Sequence, residues 1–517
     1  MEFRLNRETV PASERIFDGV QEQSVELDYI LPDYYPDIFR LVRCEAVPVV
    51  SDYSVNGDKL SYELRCELRI LYCSEDSSVL QCITQHQSFS KSAELGRITD
   101  APEISISAKT DHVNFRAVNK RRLDIRAAVS VKISAVGQRE QEVVSDAEGM
   151  NIQLKKVPVR FAAGKLSAEK LVQLSEDMDL GAAQPDIISI ISARCQCSDC
   201  EVKLISGKLL AKGEADVEVL YSCEKDGSGA AESMSFTMPF SQVIDLDGVD
   251  DSFDCSVRAE VISCEAAPAA DPAGDNRVLR CQLELRLRCS AAKSASVMVV
   301  SDAFSTVYPC EVVLSDISAE QIPVIYNESF RHSAKLCGGD SVPETVYAMW
   351  CTPRNINARV SDDRHSAVIS GMLTYSMAAK DSSGIMVMTD KDETFEESIP
   401  LSGDTPASAV SADISAGNVS YTIGADGELN ARADISARIS IYSSADVRAV
   451  TDIVVDDSAH KLRDGDYAVK LYFGVENEDI WDIAKRCSTS VAAVMEENEL
   501  SGDKLSSGGM LLIPIKE

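Results

Sequence analysis

Along most of the chain, apolar and polar residues alternate one by one, the period of strands with one buried and one wet face. Residues 429–441 make the cleanest ladder: Leu429, Ala431, Ala433 and Ile435 face one way, Asn430, Arg432, Asp434 and Ser436 the other. Residues 121–133 and 279–289 alternate in the same way. Clusters of turn formers separate such runs, at Asn56-Gly57-Asp58, Asp226-Gly227-Ser228-Gly229 and Asp381-Ser382-Ser383-Gly384, and predict hairpins.

The ladders recur. PDIFRLVRCEAVPVV begins at Pro36, PDIISIISARCQCSD at Pro185 and the more diverged PETVYAMWCTPRNIN at Pro343. Thirty-six residues after each proline a strand pattern ends, at Tyr72, Tyr221 and Ala379. The alternating face before that end is Leu64, Cys66, Leu68, Ile70 in the first copy, Gly213, Ala215, Val217, Val219 in the second, and Gly371, Leu373, Tyr375, Met377 in the third. Each copy closes on a related triplet: Val144-Ser145-Asp146, Val300-Ser301-Asp302 and Val450-Thr451-Asp452. One-sided strands need a second layer over their apolar face. The expectation is therefore a mainly β protein with three tandem antiparallel β-sandwich-like repeats, over 24–150, 151–310 and 311–460, after an N-terminal arm of residues 1–23. Amphipathic stretches near 165–175 and 315–330 are predicted as short helices or connectors.

The texture changes after Asp464. Residues 468–473 read as a strand, Ile480 to Arg486 as a helix capped by Asp479, and Val491 to Glu497 as a second helix. That second helix is predicted to end at Asn498, which tolerates a left-handed cap. Gly508-Gly509 then turns into a strand over Met510–Pro514. A small α+β domain of order βααβ is expected over 464–517, its two-stranded sheet depending on both helices for cover.

The repeats resemble the SPOCS (spore coat structure) domain, also called domain of unknown function 3794, through the Pro-Asp-Ile opening, the strand ending in Leu-Tyr and the Val-Ser-Asp close. The C-terminal module resembles the LysM fold through its IWDIAKR helix, its second helix ending at Asn498 and its MLLIP strand. In LysM domains the loops beside the first helix and after the second form a shallow groove for N-acetylglucosamine glycans. The resemblance places such a groove at Asn477, Glu478, Asp479, Ile480 and Trp481 and at Asn498, Glu499, Leu500 and Ser501. The family's usual small hydroxyl residue before the first helix is replaced here by acidic Asp479. SPOCS repeats followed by LysM resemble spore-coat morphogenetic proteins of endospore-forming bacteria. What that implies is a mother-cell scaffold at the forespore surface. Its LysM region would dock on stage IV sporulation protein A, the coat's basement-layer ATPase, and its repeats would recruit other coat proteins. The alternative implied by the same groove is binding of peptidoglycan in the cortex or wall.

Composition narrows the partners. With 83 acidic against 51 basic residues the formal charge is −32, which repels phosphate backbones and anionic lipid, so neither nucleic acid nor membrane insertion is expected. The opening Met1-Glu2-Phe3-Arg4 leads into no apolar leader, and a cytoplasmic protein is expected. No HExxH, Walker A, GxSxG or GxGxxG motif occurs, and the five histidines lie far apart, so the chain reads as non-enzymatic and without a cofactor. Cys195, Cys197 and Cys200 are the sharpest metal candidates. The other repeats put Ala46, Pro48 and Ser51, or Pro353, Asn355 and Ala358, at those places, and packed free thiols are expected instead.

Overall fold

The computed structural model describes residues 3–74, 80–98, 102–205, 207–225, 227–338, 343–381, 384, 386–401, 407–424, 428–461 and 467–515. Asp226, Ser382 and Ser383 of the predicted turns lie outside these; Asn56–Asp58 forms its turn as expected, with Gly57 at φ +66°. The chain is mainly β, with two short helices near its end.

In the first repeat the strands are β1 (Arg4–Ile30), β2 (Ile38–Asn56), β3 (Lys59–Ser74), β4 (Leu80–Glu94), β5 (Glu103–Asn119) and β6 (Arg122–Glu148). They form an antiparallel inner sheet, β2-β3-β4, and an outer sheet, β1-β6-β5. Leu64, Leu68 and Ile70 of β3 meet Leu123, Ile125 and Val129 of β6 in the core between them. The second repeat holds β7 (Ile152–Asp179), β8 (Ser189–Cys197), β9 (Glu201–Ile205), β10 (Lys208–Lys225), β11 (Ser228–Asp245), β12 (Asp254–Ala269) and β13 (Val278–Ser305). Its counterpart of β2 is split into β8 and β9, both paired with β10. The third holds β14 (Cys310–Glu320), β15 (Val324–Gly338), β16 (Thr345–Val360), β17 (Ser366–Lys380), β18 (Met386–Pro400), β19 (Ala407–Ile423) and β20 (Glu428–Val455), and here the first outer strand is split into β14 and β15.

Two expectations change. The stretch near 165–175 is strand, and that near 315–330 is strand on either side of a short connector at 321–323: Val172 and Leu174 lie opposite Leu285 and Leu283, and such pairing outweighs local helical spacing. Residues 4–23, expected as an arm, run as β1 against β6 from Arg4↔Glu148 onward.

Sequence alternation breaks down at the ends of β3, β10 and β17, where burial becomes continuous. The cause is a second cover. Equivalent residues Leu71, Leu220 and Ala378 turn away from their own sandwiches and meet around a common axis, with Leu80, Ile191 and Trp350. The long outer strands repeat the device. Beyond the sandwiches, β1/β6, β7/β13 and β14/β20 continue as three two-stranded ribbons. Val10, Val143, Val159, Val299, Ile317 and Ala449 close a core between them. Val144, Val300 and Val450 follow, each without exposed surface, with Ala147, Ala303 and Ile453. Three repeats thus surround one pseudo-threefold axis.

The recurring triplet is a β-bulge on these ribbons. At Ser145, Ser301 and Thr451 the register slips by one residue. The freed hydroxyls donate to the carbonyl oxygens of Asn6, Lys155 and Val313 at 3.3, 3.1 and 3.3 Å. The aspartates accept from the next backbone N–H, of Ala147, Ala303 and Ile453, at 2.9, 2.9 and 3.1 Å. The Pro-Asp opening is also anchored. Arg121 donates to Asp37 at 2.6 Å and to the Pro32 carbonyl at 2.8 Å, and Arg277 to Asp186 at 2.7 Å and the Gly181 carbonyl at 3.0 Å. Arg121 is therefore a clamp on the Pro-Asp opening.

Gly213 and Gly371 stand where the first repeat has Leu64, and the phenylalanine opposite lies over each gap. A Cβ on Gly213 would sit 2.5 Å from Phe240 Cζ. Gly213→Leu, copying the first repeat, is expected to overpack this site and cost about 1–3 kcal/mol. Denaturant titration followed by far-UV circular dichroism should show an earlier midpoint; an unchanged one would mean that the ring is free to swing aside.

Candidate binding site: a LysM module seated on the second repeat

The C-terminal module is β21 (Val469–Gly474), α1 (Ile480–Cys487), α2 (Val491–Glu497) and β22 (Gly509–Pro514). Asp479 caps α1, its carboxylate accepting the Trp481 N–H at 2.9 Å, and the Ser490 hydroxyl accepts the Ala493 N–H at 3.2 Å to cap α2. Ile480, Ile483, Ala484 and Val494 pack on Leu511 and Ile513 of the sheet. Asn498 is not itself left-handed, at φ −108°; that conformation falls on Glu499, at φ +51°. The Asn498 amide donates to the Val494 and Leu512 carbonyls at 2.9 and 2.7 Å and accepts the Leu512 N–H at 2.7 Å. It clasps α2 to β22.

The nine groove residues have unequal surroundings. Asn477 is exposed, in a left-handed turn, with its N–H bonded to the Leu505 carbonyl at 2.9 Å. Glu478 accepts from the Tyr472 hydroxyl at 2.6 Å, the Val475 N–H at 3.1 Å and Arg486 at 3.2 Å, and these hold its carboxyl below the usual range. Ile480 is core, and Leu500 is half-buried against that core. Glu499 and Ser501 are exposed.

Asp479 and Trp481 are taken up by the second repeat. The indole packs edge-on against Phe304, centroids 5.0 Å apart, and its Nε1–H donates to Asp302 at 2.8 Å. Lys485 donates to both oxygens of Asp302 at 2.7 Å, and Lys155 donates to Asp479 at 2.6 Å. Trp481 is left 7% exposed. Asp302 is the last residue of the second bulge. Its counterparts pair elsewhere: Asp146 with Lys156 at 2.8 Å and Asp452 with Arg7 at 2.9 Å. Phe304 stands where the other ribbons carry Glu148 and Val454, so the seat exists on one ribbon of three. The sequence reading missed Asp302, Phe304 and Lys155; an aromatic replacing Glu and Val two residues after one Val-Ser-Asp was the available sign.

With this geometry in hand, two family models match: one described as SipL, SPOCS domain, over residues 186–268, and one described as LysM domain, over residues 475–514. No curated protein and no solved structure matches the chain. The chain therefore combines a SPOCS-type segment with a LysM module, and both are binding modules rather than catalytic ones. Among the described residues no helix is long and apolar enough to cross a membrane.

Two other places were chemically plausible. Cys195, Cys197 and Cys200 are half-buried free thiols. The contact between the first two pushes the Cys195 thiol up and the Cys197 thiol down, so the pair does not offer two thiolates to a metal. Among the described residues no group of three His, Cys, Asp or Glu side chains is placed to hold a metal ion. A cavity of about 1400 Å³ lies between the repeats, and several of its charges pair with one another. Arg43 pairs with Glu45 and, at 2.7 Å, with Asp390; Arg69 pairs with Glu67; and Arg194 stacks over Trp350 at 3.7 Å.

Asp302→Ala is expected to unseat the module. In a Trp350→Phe background, Trp481 emission should shift to the red and be quenched more readily by acrylamide; unchanged quenching would mean that the hydrogen bond is dispensable. Acid should act similarly. Burial raises the pKa of Asp479, but Lys155 and the Trp481 N–H outweigh it, so the group titrates below its ordinary 3.8. A depressed carboxylate contributes stability above its unfolded pKa and loses it as pH falls through the folded one. Indole quenching should therefore hold level down to about pH 4 and rise below it.

Proposed function

We propose that this chain is a non-enzymatic scaffold of the bacterial spore coat, working on the mother-cell side of the forespore surface. In this reading the β-repeats, taken as 24–150, 151–310 and 311–460 with the preceding strand joined to the first, recruit coat proteins. The LysM module, within 464–517, docks on stage IV sporulation protein A. The observation carrying this choice is the burial of Trp481 against Phe304, with its N–H spent on Asp302. Sugar rings are gripped largely by stacking on exposed aromatic faces, and the groove residues that remain exposed, Asn477, Glu499 and Ser501, offer none. The acidic replacement at Asp479 is held by Lys155 instead of facing a ligand.

The second reading, retention of peptidoglycan glycan, is supported by the LysM match across 475–514, which spans both groove loops. Pull-downs with the full chain separate the two. Purified stage IV sporulation protein A should retain the chain, deletion of 464–517 should abolish retention, and purified peptidoglycan should retain little. Retention on peptidoglycan alone would reverse the order of the two readings.

A further inference from the structure

Both faces of β21 carry large side chains, Tyr472 on one and Leu471 and Phe473 on the other, yet the helices cover only one. Tyr472, Leu511 and Ile513 turn toward α1 and α2. On the opposite face Leu471 stands across from Leu512 and Phe473 across from Met510, flanked by Val469 and Val475. Phe473 is 70% exposed, Met510 67%, Leu471 62% and Val475 61%. Isolated exposed apolar residues need no explanation. Six on and beside one face of a two-stranded sheet do, because the cross-strand pairs Leu471/Leu512 and Phe473/Met510 set most of them side by side. The patch lies on the side of the sheet away from α1, the helix that the second repeat holds through Trp481 and Lys485.

We propose that this outer face of the β21–β22 sheet is a docking surface for a protein segment presenting apolar side chains flanked by lysine or arginine. The proposal rests on the reading of the module as a protein-docking one and names the surface it uses. Charge selects the occupant. Exposed Glu476 follows Val475 directly, and exposed Glu497 and Glu499 flank Asn498, whose amide is bonded to the Leu512 backbone at the edge of the patch. A second copy would set these carboxylates against themselves and bring together two bodies each of charge −32, which disfavours self-pairing. A basic-flanked segment meets the acidic rim while its apolar side chains cover Leu471, Phe473 and Met510.

The test uses the full chain and the variant Leu471→Ser/Phe473→Ser, whose exposed substitutions leave the module's core intact; unchanged circular dichroism checks this. With purified stage IV sporulation protein A, binding at least tenfold weaker in the variant, and weakening with added salt, supports the surface. Equal binding by both chains overturns it while leaving the docking reading standing. If the wild-type chain does not bind that ATPase, the docking reading fails on that partner. The surface is then decided with a synthetic amphipathic helix carrying leucines on one face and lysines at its flanks. Binding by wild type and not by the variant supports the proposal; binding by both or by neither overturns it. A concentration-dependent dimer in sedimentation velocity, lost in the variant, would assign the face to a second copy and overturn it as well.

Discussion

A strand can be apolar on both faces only if something covers both, and that requirement organises this molecule. Each repeat covers one face of its inner sheet with its own outer sheet. The ends of β3, β10 and β17 remain apolar on the second face as well, and no single repeat has another layer to supply. Closure around an axis solves the problem for all three at once, since Leu71, Leu220 and Ala378 cover one another. The same logic extends along the ribbons, where Val144, Val300 and Val450 are fully enclosed only because three two-stranded ribbons meet. A chain that could have been three separate sandwiches is instead one body with a shared centre.

Near-symmetry then permits a single deviation to carry function. The bulge triplet recurs because its hydroxyl and carboxylate satisfy backbone groups that a slipped register would leave unpaired. That role is common to all three ribbons. Phe304 is not: one aromatic beside one bulge aspartate makes a seat for an indole, and the LysM module occupies it. The module is thereby part of the body rather than a tethered bead, and what it presents outward is settled by which of its faces that seat consumes.

Much of this was legible in the residues. Alternation gave away the strands, the Pro-Asp and Val-Ser-Asp marks gave the repeat, and the βααβ order of the last segment followed from Asp479, Asn498 and the glycine pair. Less legible was everything that depends on contact between repeats. The doubly apolar ends Ile70-Leu71-Tyr72 and Val219-Leu220-Tyr221 read in isolation as ordinary buried strand ends, and nothing local says that their second face awaits a neighbouring repeat. Residues 4–23 read as an arm because β1's alternation is weak; its pairing with β6 defines it. Trp481 read from the sequence as a groove residue. It resolved to burial against Phe304, 177 positions away, a partner that spacing cannot reveal.

The central claim, that the three repeats share one core, is tested most directly by hydrogen exchange on a single buried substitution. Val450→Asp places an unpaired carboxylate among the three ribbons from the third repeat alone. Sharing predicts faster amide exchange in the ribbons of all three repeats, including 4–14 with 138–148 and 152–162 with 293–305. Faster exchange confined to 310–320 and 444–455 would contradict it, and would describe three sandwiches that fold without regard to one another.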